Sequence, residues 1–300
     1  MWAAPAHSDL LADGTRYTID SPTLLKQTIR LVSQTRTRLS FHYGEVSDSG
    51  LHVVVASSDS AFRALVGPHF PDWGVGAALG RSLLIILRAP GSGGWPHDYE
   101  QVAVHEYAHI FLHLRAGRTP QVPRWLDEGF AMHAAFEWDV QSQLRLARAS
   151  WTGSLLRLDQ LDDVNRFQGE KAALAYTQAF AAYQFLEEQY GREGVLALLD
   201  ALASGLSLPA AFVRATGTTY PEFQAALSQR LKEQSNVFSL IADSGLWWGL
   251  LALFIIVAWW IKKRRAKDIE RQWRTEDRIH GEPDFNEYVD PDDDESWRKS

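Results

Sequence analysis

The chain has 300 residues, of which 46% are hydrophobic and 22% are charged, a balance typical of a globular protein and not of a disordered one. It contains no cysteine, which excludes disulfides, thiolate nucleophiles and cysteine-based metal sites, so any metal must be held by histidine, aspartate or glutamate. The formal net charge of −7 gives no reason to expect a nucleic-acid partner.

The first third of the chain predicts a mixture of helices and strands. Residues 1–34 form an N-terminal segment that closes with the helix-like stretch SPTLLKQTIRLVSQ. Three later runs have the apolar or alternating pattern of strands, namely LSFHYGEV (39–46), LHVVVAS (51–57) and SLLIILRA (82–89). Between the last two, SDSAFRALVG has the spacing of a short amphipathic helix that stops at Gly67.

From residue 98 onward the apolar periodicity is helical. The predicted helices cover residues 98–116, 124–138, 170–190, 192–204 and 221–234. Because the strands come first and the helices follow, the sequence favours an α+β fold, with a small N-terminal β-sheet and a mostly helical C-terminal lobe.

Residues 245–261, GLWWGLLALFIIVAWWI, are the clearest change in composition. Seventeen uncharged residues would form a helix about 25 Å long, which is at the short end for crossing a bilayer. A buried core helix is the alternative. Tryptophans at both ends and the basic block that follows favour a transmembrane helix that contacts the lipid bilayer.

The charges around this segment predict its orientation. Basic residues crowd the start of the tail, 262–300, so the tail is expected to be cytoplasmic and residues 1–244 extracytoplasmic in a single-pass cell-membrane protein. The second half of the tail is acidic and is expected to be disordered. Residues 1–14 show no basic or apolar region of a signal peptide, so either the start is truncated or the anchor itself directs export.

The stretch VAVHEYAHIF, residues 102–111, lies in the predicted helix that Asp98 caps. His105 and His109 are one turn apart, so they project to one side and can bind a single ion. Glu106 is displaced by about 100° around the axis, near enough to contact a water beside that ion. The five-residue pattern also occurs by chance, and a histidine on so apolar a helix can be a core residue.

The residues that follow distinguish between types of H-E-x-x-H protein. Leu112 and Arg115 stand where metzincins have glycine and histidine. Glu128, in the segment RWLDEGFA, follows His109 with eighteen residues between them. The sequence here resembles the gluzincin zinc metallopeptidases of the bacterial peptidase MA-like domain family, whose pattern is HExxH, about eighteen residues, then a glutamate commonly set in a W-L-x-E-G-x-A context.

The resemblance implies a zincin-like catalytic domain over residues 35–235 that hydrolyses peptide or protein substrates. It implies that one Zn²⁺ ion is held by His105, His109 and Glu128. Zinc lowers the pKa of a water, and Glu106 as general base takes its proton. The G-x-M-E-N segment of aminopeptidase relatives is absent, which favours an endopeptidase. The strand at 82–87 is expected to be the sheet edge beside the cleft, where an extended substrate pairs.

Three other polar residues have two interpretations each, and a fourth, His133, has one. Tyr176 is either the hydrogen-bond donor to the oxyanion or, with Tyr183 seven residues later, part of an aromatic core stripe. His113 lies about 12 Å along the helix from His105 and is either a partner of a ligand or structural. His133 is expected to be structural. Asp127 either holds a ligating histidine or faces solvent.

Two alternatives to a membrane-anchored metallopeptidase stay open at this stage. One is a catalytically inactive zincin-fold receptor or scaffold at the membrane. The other is a hydrolase of non-peptide amides that uses the same ligands. The first is tested by the effect of Glu106→Gln on cleavage, and the second requires substrate profiling.

Overall fold

The computed structural model describes residues 8–68, 70–71, 74–92, 98–117, 122–243 and 248–264. The chain divides into two compact units, Met1–Phe238 and Ser239–Ser300. The first unit contains the sheet and the helices that surround the H-E-x-x-H motif.

A five-stranded mixed sheet forms the N-terminal part of the first unit. The strands are β1 Ser8–Leu10, β2 Arg16–Thr18, β3 His52–Ala56, β4 Gly76–Leu79 and β5 Leu84–Arg88. Their order in the sheet is β1-β2-β3-β5-β4. The central strands β2, β3 and β5 are parallel, and the outer strands β1 and β4 pair antiparallel with their neighbours.

Helices make up most of the rest of the unit, and the last of them continues past Phe238. They are α1 Pro22–Tyr43, α2 Asp59–Val66, α3 Tyr99–Arg115, α4 Arg124–Ala134, α5 Val140–Trp151, the 3-10 helix Leu158–Arg166, α6 Gly169–Ala203, α7 Leu208–Thr216 and α8 Tyr220–Asp243. A small sheet followed by a mostly helical part confirms the predicted α+β class.

Strands β3 and β5 are covered on both faces, which explains why they are almost wholly apolar. Val53 and Ile85 point to the main core, which they share with residues of the helices α1, α3, α4 and α6. Ile86, one residue on, points to the opposite face and packs with Phe62 of α2 in a smaller cluster. The sheet is therefore a layer between α2 and the larger helical core.

The expected sheet edge at 82–87 was wrong. Strand β5 lies inside the sheet, between β3 and β4, and the edge strand is β4, with Gly76 opposite Leu87. The segment Gly-Ala-Ala-Leu has neither β-branched residues nor clear alternation, so its sequence does not indicate a strand.

The predicted strand at 39–46 was also wrong, because α1 continues through Tyr43 and ends at Gly44. Leu39 and Tyr43 are buried one helical turn apart, so the spacing that looked like alternation is the inner face of a helix. Ser21 begins this helix by accepting a hydrogen bond from the Leu24 amide.

Helix α6 contains the predicted interruption between 190 and 192. Gly191 has non-helical angles, φ 67° and ψ 177°, which glycine adopts without steric cost. The part of α6 before this break packs against α4. It also carries Tyr176.

In the second unit, residues 248–264 are helical and their large apolar side chains are exposed. The predicted membrane span at 245–261 begins on residues 245–247, which lie outside the described residues. Over the described ranges, no helix combines the length and the apolar character needed to cross a bilayer. The tail from residue 265 onward also lies outside them.

Candidate metal centre

Helix α3 carries the H-E-x-x-H motif. The Asp98 side chain accepts a hydrogen bond from the Glu100 amide at 2.9 Å, so Asp98 is the N-cap that the sequence predicts. Glu106 and His109 are buried, and His105 is half-buried. The helix packs against α1, α4 and the edge strand β4, which places the motif beside the end of the sheet.

Three donor groups converge where α3 meets α4. The Nε2 atoms of His105 and His109 each lie 3.5 Å from Oε2 of Glu128. One ligand atom from each of these three residues lies within 4.8 Å of the other two. Two imidazoles and one carboxylate form a donor set that zinc commonly binds with an open fourth position. The structure thus brings the three predicted ligand residues together.

Carboxylates fix the orientation of both imidazoles. His105 donates from Nδ1 to Oε1 of Glu137 at 3.0 Å, and His109 donates from Nδ1 to Oδ1 of Asp127 at 2.6 Å. A proton held on Nδ1 leaves the Nε2 lone pair free for a metal. Both Nε2 atoms therefore face Glu128 in the form that a cation requires.

Asp127 is the shared partner of two histidines. Its Oδ2 atom accepts a hydrogen bond from Nε2 of His113 at 3.2 Å, while Oδ1 holds His109. Asp127 is buried, so the solvent-facing alternative was wrong and His113 supports the group through Asp127. His133 pairs with Glu187 at 3.4 Å and belongs to a separate contact.

Arg124 holds the other oxygen of Glu128. Its guanidinium lies 2.6 Å from Oε1 of Glu128, one helical turn away, and this leaves Oε2 directed at the two histidines. Arg124 also hydrogen-bonds to Tyr176 of α6. One arginine therefore connects a predicted ligand with the candidate oxyanion donor.

Sequence patterns gave no sign of Glu137. Helix α4 ends in a turn in which Phe136 has a φ of 56° and the Glu137 amide bonds to the Met132 carbonyl at 3.0 Å. This turn directs Glu137 back to His105. Glycine usually occupies such a left-handed position, so a phenylalanine there conceals the turn from sequence analysis. Arg124 was detectable in principle from its i,i+4 spacing to Glu128.

The electrostatics of the group favour a bound cation. Burial opposes protonation of His109, but Asp127 and Glu128 outweigh it and raise its pKa to about 10. Burial likewise opposes protonation of His105, and the neighbouring carboxylates, Glu137 foremost, raise its pKa well above the usual value. Carboxylates that hold a second proton on these imidazoles this strongly also attract a divalent ion, which would replace that proton on Nε2.

Glu106 lies beside the three donors. Burial is the main cause that raises the pKa of its carboxyl, and His105 and His109 partly oppose that rise. A carboxylate with a raised pKa is a stronger proton acceptor than an exposed glutamate. The position of Glu106 and its basicity both suit a general base.

Tyr176 and Tyr183, which share a face of α6, have different surroundings. The Tyr183 hydroxyl lies 2.8 Å from the Tyr43 hydroxyl in the core. Tyr176 is half-buried, and burial together with the Glu128 charge raises its pKa, so its hydroxyl keeps its proton at neutral pH. Tyr176 therefore meets the requirement for a hydrogen-bond donor beside Glu128, and Tyr183 is a core residue.

Comparison with known proteins gives the family. The model for the Peptidase MA superfamily matches residues 54–229, which is more than half of the chain and includes the whole H-E-x-x-H to Glu128 segment. No curated protein matches the chain. The chain therefore belongs to the Peptidase MA superfamily, a zincin-type metallopeptidase family, as the sequence motif predicted.

Proposed function

We propose that this member of the Peptidase MA superfamily is a zinc-dependent endopeptidase anchored to a membrane. The observation that supports it most directly is the convergence of His105 and His109 on one oxygen of Glu128, with Glu106 beside them. His105, His109 and Glu128 hold the zinc ion. The metallopeptidase class follows from the family. The endopeptidase specificity, the roles of single residues and the membrane anchor are proposals.

When bound, zinc supplies Lewis-acid polarisation of the scissile carbonyl and lowers the pKa of a water. Glu106 accepts the proton of the attacking water and passes it to the leaving amine. Tyr176 donates a hydrogen bond to the oxyanion, and Arg124 holds Tyr176 in place for this role. His113, Asp127 and Glu137 keep the two imidazoles in the required orientation.

An extended peptide is the substrate that the site suits. Strand β4 is an edge strand of the sheet and packs against α3, so this edge of the sheet lies beside the helix that carries the motif. An extended chain can pair with such an edge through main-chain hydrogen bonds, largely independent of its sequence. The lack of a G-x-M-E-N segment supports cleavage within chains over removal of N-terminal residues.

The proposed anchor is the segment 245–261, with residues 1–244 extracytoplasmic and the tail cytoplasmic. Its support is the apolar composition, the tryptophans at its ends and the basic residues that follow it. Protease added to intact cells should degrade residues 1–244 and spare the tail. Protection of residues 1–244 would contradict this placement.

The catalytic proposal is tested by comparing the purified protein with its Glu106→Gln variant. Casein cleavage should fall by at least about 10²-fold, because general-base catalysis contributes 10²–10⁴-fold. Zinc content should stay at one ion per chain. Glu100→Gln is the matched control, since Glu100 lies on the same helix but is exposed and should leave cleavage unchanged. Equal cleavage by wild type and Glu106→Gln would remove the enzymatic role.

A further inference from the structure

Strand β4 passes directly behind the side chain of Glu106. Gly76, its first residue, is buried and pairs with Leu87 of β5. A methyl group placed on the Gly76 Cα would lie 2.5 Å from Oε1, 2.7 Å from Cγ and 2.9 Å from Cδ of Glu106. Carbon atoms do not approach other heavy atoms this closely without displacing them, so any residue larger than glycine here would require space that Glu106 occupies.

The contact itself, and not the backbone conformation, requires glycine at this position. Gly76 is not among the residues with positive φ, so alanine could adopt its backbone angles without strain. The three nearest atoms all belong to the Glu106 side chain and none to the main chain. The cost of a methyl group therefore falls on the Glu106 side chain from Cγ outward, so the carboxylate that ends this side chain must move.

We propose that Gly76 is a positioning residue that sets where the Glu106 carboxylate lies relative to the metal ligands. This inference rests on the proposed role of Glu106 as general base. Proton transfer requires the base within hydrogen-bond reach of the proton it takes, and a displacement of about 1 Å can cost about 10²-fold in rate. Strand β4 thus has a second function besides any pairing with substrate, because its backbone at Gly76 packs against the side chain of Glu106.

The same strand supplies a matched control. Ala77 follows Gly76 and, by strand alternation, faces the other side of the sheet, where it packs with the Phe62 and Ile86 cluster. Ala77→Ser adds one heavy atom to β4, as Gly76→Ala does, but on the face away from Glu106. The comparison separates a local effect on Glu106 from a general effect on the strand.

The test measures kcat, KM and zinc affinity for Gly76→Ala in the full-length, zinc-loaded protein, with zinc affinity obtained by competition with a chelator. We expect kcat to fall about 10- to 100-fold while KM, zinc affinity and Tm stay near the wild-type values. Ala77→Ser should match the wild type in all four. In a Glu106→Gln background, where the base is already absent, Gly76→Ala should lower the residual kcat no further, because its effect acts through Glu106.

Failure of this inference is distinguishable from failure of the proposed function. If Glu106→Gln is as active as wild type, Glu106 is not the base and the proposed function fails. If Glu106→Gln is inactive but Gly76→Ala keeps full activity, or loses zinc affinity or Tm instead, the positioning role is wrong. A crystal structure of Gly76→Ala gives an answer independent of activity, since an unmoved Glu106 carboxylate overturns the inference and a displaced one supports it.

Discussion

Asp127→Asn should weaken zinc binding more than Glu137→Gln, although each residue holds one ligating imidazole. Asp127 is buried and accepts hydrogen bonds from His109 at 2.6 Å and His113 at 3.2 Å. Asparagine replaces one of the two acceptor oxygens by an NH2 donor and removes the negative charge, so it cannot keep both hydrogen bonds in this arrangement. A charge-assisted hydrogen bond contributes about 1.5–3 kcal/mol, which corresponds to roughly 10- to 100-fold in zinc affinity.

Glu137 should matter less because it accepts one hydrogen bond, at 3.0 Å, and its side chain is 28% exposed. Water screens its charge and can replace it as the acceptor for His105, so we expect a loss of at most about 10-fold. Titration of the metal-free variants with zinc against a chelator of known affinity measures both effects. His133→Gln is the control, since His133 pairs with Glu187 and should bind zinc like the wild type. An equal or larger loss for Glu137→Gln would refute the reasoning.

Three further changes have expected outcomes. Tyr176→Phe should lower kcat by about 10²-fold in steady-state assays and leave zinc affinity unchanged, because it removes a donor to the oxyanion but no metal contact. Gly129→Ala should lower the free energy of unfolding by about 1–3 kcal/mol in urea titrations, because the added methyl group would lie 2.3 Å from the Ala179 carbonyl oxygen and force α4 away from α6. Removal of zinc with a chelator should lower Tm, since an ion present at 100 times its Kd contributes about 2.7 kcal/mol to stability.

The parts of the site that sequence predicts are those set by local geometry. His105, Glu106 and His109 lie on one helix, where the spacing alone fixes their relative directions. Glu128 is predictable because the resemblance specifies both its distance from His109 and its W-L-x-E-G-x-A surroundings. Contacts that depend on a turn, such as that of Glu137 with His105, leave no periodic pattern to detect.

The fold was predictable where burial produces a clear pattern. The apolar runs of β3 and β5 and the helical character of the chain after residue 98 were identified correctly, but the helices α5 Val140–Trp151 and α7 Leu208–Thr216 were not predicted. Strand β4 was missed because its residues, Gly-Ala-Ala-Leu, are small and weakly β-forming. Because β4 was not predicted, the sheet edge was expected at residues 82–87 and not at Gly76–Leu79.

Gly76 in β4 and Gly129 in the W-L-x-E-G-x-A segment share one physical feature, because each lies in close contact with a neighbouring group. Gly76 lets the sheet edge approach Glu106, and Gly129, next to Glu128, lets α4 approach the Ala179 carbonyl of α6. Glu106 and Glu128 are thus each placed by a close contact that a Cβ atom would prevent. The geometry of the site then depends on residues that bind nothing themselves, and their small size removes the side chains that would make a strand recognisable. Two substitutions test these contacts separately. Gly76→Ala should move the Glu106 carboxylate without unfolding the protein, and Gly129→Ala should lower the stability of the protein.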